Sequence, residues 1–134
     1  MKSLNEWARE IHANAVEHGW WESDRGLPEI LMLIVSELSE ALEESRAGRP
    51  LEWRGCMLNG GNPCMQKELG CEDGFVEELC TYRMEKPEGI AVEVIDALIR
   101  ILDWCGKEGI DVERLVREKH DYNKTRPYKH GKQY

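Results

Sequence analysis

The chain has 134 residues, room for one domain with a real core and too little for two comfortable ones. Eighteen Lys/Arg against 26 Asp/Glu give a formal net charge of −8, which argues against a general nucleic-acid polymer as partner. No apolar run approaches the ~20 residues of a membrane span, no signal-peptide pattern opens the chain, and five cysteines make an odd number for a disulfide framework, so the expectation is a cytoplasmic protein with reduced thiols and no membrane contact.

Helix formers dominate, there is one Phe, and no stretch alternates cleanly with period two. The expected class is therefore all-α: a single domain over 1–134, a bundle of about four core helices with an insertion over 49–86 and a basic tail over 127–134. The first helix begins at Ser3, where Ser-Leu-Asn-Glu fits a capping box closed by Glu6. Leu4, Trp7, Ile11 and Ala15 follow at helical spacing, and Gly19 stops it. His12 and His18 belong to no spaced cluster and read as surface or boundary histidines. Trp20 and Trp21 form the next turn. Adjacent residues do not easily both point inward, so one is expected to close the core and the other to offer an aromatic wall to a nucleobase.

Pro28 suits the first turn of a second helix that should end near Gly48. Its centre, Leu31 to Glu44, places Glu37 and Glu40 among Leu38, Ala41 and Leu42. Residues three apart on a helix lie ~60° apart around the axis, and Glu44 returns to within ~20° of Glu37, so three carboxylates stack along one edge. A helix apolar over most of its circumference is expected to be buried, and buried acids need a proton, a cationic side chain or a metal.

Residues 49–86 hold Cys56, Cys64, Cys71 and Cys80 with seven, six and eight residues between them, which is not the C-x-x-C spacing of a zinc knuckle. Partly buried thiols are the expectation, with a short helix near Asp73 to Arg83. Pro87 then opens a long helix ending at Gly106 or Gly109, with a broad apolar face and a polar edge of Glu93, Asp96, Arg100 and Asp103. Cys105 reads as a small core residue. Asp111 caps the last helix, with Val112, Leu115, Val116 and Tyr122 expected to face inward. Lys119, Asn123 and Arg126 share a face if that helix persists. From Arg117 to Tyr134 six Lys/Arg stand against two Asp/Glu, which leaves −12 on residues 1–116. Lys119, Arg126 and Lys129 are placed to neutralise phosphates, with Asn123 adding hydrogen bonds.

Two acid pairs, Glu37 with Glu40 and Glu93 with Asp96, thus sit on the two most apolar helices. If those helices are antiparallel neighbours, four carboxylates meet, and an oxygen-only donor set suits Mg²⁺ or Mn²⁺ rather than zinc or copper. A di-iron bundle would need Glu-x-x-His on two helices, and none of the four histidines has a Glu three positions earlier.

The E-x-x-E and E-x-x-D pairs, the Gly-Trp-Trp turn, the SELSEALEE and PEGIAVEVIDALIRI helices and the closing K-x-x-x-N-x-x-R-P-x-K-H-G resemble the MazG-like nucleoside triphosphate pyrophosphohydrolases of the all-α NTP pyrophosphatase superfamily. The resemblance extends over most of the chain. It implies a helical homodimer or homotetramer that uses Mg²⁺ to cleave (d)NTPs between the α- and β-phosphates, giving a monophosphate and pyrophosphate. Glu37, Glu40, Glu93 and Asp96 are then the catalytic metal ligands. Two features depart from the family's pattern: Ser36 stands where a further acid is usual, and the segment between the acid pairs is longer and rich in Cys. The rival expectation from another class is a non-catalytic helical interaction module or nucleotide sensor whose Cys-rich insert binds zinc.

Overall fold

The computed structural model describes residues 1–65 and 80–131. Four helices carry most of it: α1 (Leu4–Glu17), α2 (Leu27–Arg46), α3 (Ile90–Lys107) and α4 (Val112–Lys124). Between α2 and α3 lies a two-stranded antiparallel ribbon, β1 (Trp53–Cys56) and β2 (Arg83–Glu88), so the architecture is mostly helical but not purely all-α. Single 3₁₀ turns cover Met57–Asn59 and Tyr128–Gly131. No helix among the described residues is long and apolar enough to cross a membrane.

The helix ends follow local chemistry. Ser3 Oγ accepts from the Glu6 N–H at 3.2 Å while the Ser3 N–H donates to Glu6 Oε2 at 2.7 Å, which completes the capping box. Helices α1, α2 and α3 each close with the same pair of reversed backbone bonds, ahead of Gly19, Gly48 and Gly109. At α2, for example, Arg49 N–H reaches Glu44 O and Gly48 N–H reaches Ser45 O.

The described chain divides into two compact units, Met1–Ile30 with Ile99–Tyr134, and Leu31–Leu98. In the first, Ala8, Leu102 and Cys105 form the buried core, with Ile11, Trp104, Ile110 and Val112 packed against it. A Cβ at Gly106 would lie 2.3 Å from Ala8 O, so the absence of a side chain lets the two backbones approach there. Cys105 is thus the core residue expected, and burial pushes its thiol pKa up. Asn5 ties α1 to α4: its Oδ1 accepts from the Val112 N–H at 2.8 Å, and its Nδ2 donates to Asp111 Oδ1 at 2.9 Å. Asp111 also accepts from the Arg114 N–H, as an N-cap should. The inward face expected of α4 is corrected, because Leu115, Val116 and Tyr122 are exposed and only Val112 reaches the core.

The second unit differs most from expectation. Pro87 does not open the long helix; it lies in β2, paired with Arg54, and the helix starts at Ile90. Both strands of a two-stranded ribbon are edges, where a residue without an N–H is tolerated. Gly89 makes the switch from strand to helix at φ +119°, and a Cβ there would lie 2.6 Å from Leu51 O. The helix expected near Asp73 to Arg83 lies outside the described residues as far as position 79; from Cys80 the chain is turn and then strand. Nor is α2 buried all round. Its buried side chains beyond Ile30 are Glu37 and Ala41, and the buried pair at the start of α3 is Glu93 and Ala97.

Candidate metal centre

Within the unit Leu31–Leu98, α2 supplies Glu37 and α3 supplies Glu93 and Asp96. One carboxylate oxygen from each lies within 4.8 Å of the other two. Glu37 and Glu93 are each only 8 % exposed and Asp96 is half-buried. Among the described residues this is the one group of three acidic, His or Cys side chains so arranged. Burial raises the pKa of Glu93, and the charges of Glu40, Asp96, Glu37 and Glu88 push it further in the same direction. Like charges gathered at that spacing favour either a retained proton or a bound cation. An all-carboxylate set with one oxygen offered per residue matches the oxygen preference of Mg²⁺ and Mn²⁺.

Of the four expected ligands, Glu40 stands outside the trio. It is exposed on α2, although its charge acts on Glu93. Glu44, on the same helical edge, is engaged differently: Trp53 Nε1 donates to Glu44 Oε2 at 2.9 Å, and the Arg49 guanidinium stacks 5.2 Å from the Trp53 ring centroid. The ribbon is also fastened to α3, because the Ala91 N–H donates to Leu51 O at 2.8 Å and Trp53 pairs with Glu88. The insertion therefore grips both acid-bearing helices. Neither hold was legible in a segment without steady period.

The ribbon also brings a cation. Lys86 Nζ pairs with Glu88 Oε1 at 2.8 Å, and its side chain is 74 % exposed. The hydrogen bond to Glu88 raises the ammonium pKa against the opposing effect of burial, and the charges of Glu88, Glu93 and Asp96 add to the rise.

The remaining candidates belong to the unit Met1–Ile30 with Ile99–Tyr134. Trp21 is the inward member of its pair: its indole N–H reaches both Asp103 oxygens, at 3.0 and 3.1 Å. His12 Nδ1 meets Asp103 Oδ1 at 2.7 Å and packs edge-on against Trp21, the boundary position expected of it. Trp20 is 56 % exposed, with the Arg25 guanidinium 5.3 Å from its ring centroid. Lys119 and Asn123 share one face of α4, lining a shallow apolar groove with Leu115, Val116 and His120. Arg126 and Lys129 follow the helix end and are exposed, Lys129 at φ +50°. Cys56 is buried, and Cys64 and Cys80 are half-buried; Cys71 lies outside the described residues. Among the described residues these thiols join no metal-holding group. Comparison of the chain with protein-family models, curated proteins and solved structures finds no match.

Proposed function

We propose that the protein is a divalent-metal-dependent nucleoside triphosphate pyrophosphohydrolase, cleaving (d)NTP to (d)NMP and pyrophosphate in the clearance of nucleotide pools. The observation that carries this reading is the meeting of Glu37, Glu93 and Asp96 from two helices within 4.8 Å, two of them buried. These three residues hold Mg²⁺, or Mn²⁺ in its place. Bound there, the metal supplies charge neutralisation and an acidified water, the two contributions that phosphoryl and nucleotidyl transfer needs most. Glu40, exposed beside the trio and not part of it, is assigned the proton from the attacking water. Base contact by exposed Trp20, in the other unit and with Trp21 held inward beside it, is what the sequence resemblance implies. Phosphate contact by Lys119, Asn123, Arg126 and Lys129, which belong to the other unit, is likewise what the sequence resemblance implies.

The same reading takes the protein as a homodimer or homotetramer. Leu31, Val35, Leu38 and Leu42 recur at helical spacing on α2 and remain 47–50 % exposed, and Ile95 and Leu98 on α3 are 50 % and 40 % exposed. Exposed apolar stripes of that kind are what self-association covers.

The test is product identity. Canonical and damaged dNTPs with Mg²⁺ should give monophosphate and pyrophosphate by liquid chromatography, and EDTA should stop the reaction. Diphosphate and phosphate as products, or full activity in EDTA, would overturn the reading. Stoichiometric zinc in purified protein would instead favour the interaction module.

A further inference from the structure

The trio and a triphosphate are both anionic, so a residue that receives the phosphates near the trio has to be cationic. Within the unit that carries the trio, most described basic side chains are committed elsewhere. Arg46 pairs with Glu43, Arg54 with Glu52, and Arg49 binds Asn62 and stacks on Trp53. Lys86 is placed differently. It lies on β2 four residues before α3 begins, and its partner Glu88 is two residues along the strand, on the same side of the ribbon.

The strand's position is fixed at both ends of the neck by Trp53 on Glu44 and by Leu51 on Ala91. The Lys86 stem remains largely in solvent and free to change rotamer. β2 runs straight into α3 through Gly89, whose carbonyl accepts from the Glu93 N–H at 3.1 Å, so the end of the strand that carries Lys86 and Glu88 lies at the turn of helix that carries Glu93 of the trio.

We propose that Lys86 is a phosphate-binding residue of the carboxylate centre, held ready by Glu88 and transferred from Glu88 to a phosphate oxygen when a metal-bound polyphosphate arrives. The assignment rests on reading the trio as a metal–triphosphate centre, and it adds a contact supplied by the insertion rather than by the helices. No bond is made or broken in the transfer; one ion pair replaces another. An ammonium on a flexible stem suits this role, since it can exchange partners without the fixed geometry a guanidinium requires.

The effect on the metal runs the other way. Removing a positive charge near three carboxylates cannot weaken the attraction of a divalent cation to them. Lys86→Gln should therefore raise the KM for the best nucleotide by about five- to tenfold, with kcat little changed, since an exposed charged contact is worth less than a buried one. Its Kd for Mn²⁺ alone, measured by calorimetry, should stay the same or tighten. Lys86→Arg should recover most of the KM. A role confined to holding the ribbon in place would instead weaken Mn²⁺ binding together with substrate binding.

A KM within about threefold of wild type in Lys86→Gln overturns the assignment, and so does a matching loss of Mn²⁺ affinity. If the wild-type protein turns over no nucleotide, the proposed function fails separately, and Lys86 is then judged on binding of Mg²⁺–tripolyphosphate. At least fivefold weaker binding by the variant upholds the assignment; equal binding, or none by the wild type, overturns it.

Discussion

Glu93 and Asp103 lie on the polar edge of the same helix, ten residues apart in a series the sequence writes as one pattern, yet their surroundings are opposite in kind. Asp103 is met by donors, the Trp21 indole on both oxygens and the His12 ring on one. Glu93 is met by other acids and by burial, and its pKa rises accordingly. A half-buried carboxylate answered by N–H groups is a structural fixture, here holding the Gly-Trp-Trp turn against α1 and α3. A buried carboxylate answered by carboxylates has a cost that a cation relieves. The spacing of acids on a helix cannot distinguish the two; what faces each acid does.

Exchanging one oxygen for nitrogen in each acid separates them most sharply. Glu93→Gln should lower Mn²⁺ affinity, read by calorimetry, by about a hundredfold or more, since even partners of metal ligands cost ten- to a hundredfold when altered. Turnover should fall with it. The same variant without metal should melt higher than wild type, because the amide removes a buried like charge. Asp103→Asn should do the reverse. Losing the charged acceptor shared by two donors, Trp21 and His12, should destabilise the fold by about 1–2 kcal/mol, or roughly 3–6 °C in Tm, while Mn²⁺ affinity stays unchanged. An Asp103→Asn protein that loses metal binding without losing Tm would erase the distinction.

The smallest effect expected is a pH trend. The folded-state pKa of Glu93 lies above the ordinary 4.5, so between the two values the folded chain keeps a proton that the unfolded chain has released. The Glu93 contribution to stability is therefore undiminished below 4.5 and falls as pH rises through the raised value. The Tm advantage of Glu93→Gln over metal-free wild type should be absent in acid and grow towards neutrality. Melting curves in EDTA across that range check the sign, and a difference independent of pH would contradict it.

Much of this was legible locally. The Ser3–Glu6 box, the helix stops and the Asp111 cap are decided by residues within a few positions of one another, and the structure has them as expected. The acid pairs were legible as pairs. That Glu40 stands outside the trio, and that Glu44 goes to Trp53, depends on where a distant segment arrives. The ribbon escaped notice because its strands do not alternate. β1 is short and irregular between Arg54 and Cys56, and β2 contains the proline that reads as a helix start. The Asn5 bridge to the α4 cap joins residues 106 apart, and no local pattern announces such a contact. The open faces of α2 and α4 had a different cause: a stripe of Leu and Val states that something must cover it, without saying that this comes from the same chain.

The neck of the ribbon separates two jobs. Leu51 to Trp53 on one side and Glu88 to Ala91 on the other fasten to the acid helices, whereas Asn62 and Pro63 turn back onto Cys56, Gly55 and Arg49 and brace the ribbon itself. Closing a longer or shorter excursion changes the free energy slowly, by about 0.6 kcal/mol for each doubling of length. A graft that keeps Leu51 to Trp53 and Glu88 to Ala91 keeps both fastenings, so the neck is the part of this segment to which the carboxylate spacing answers.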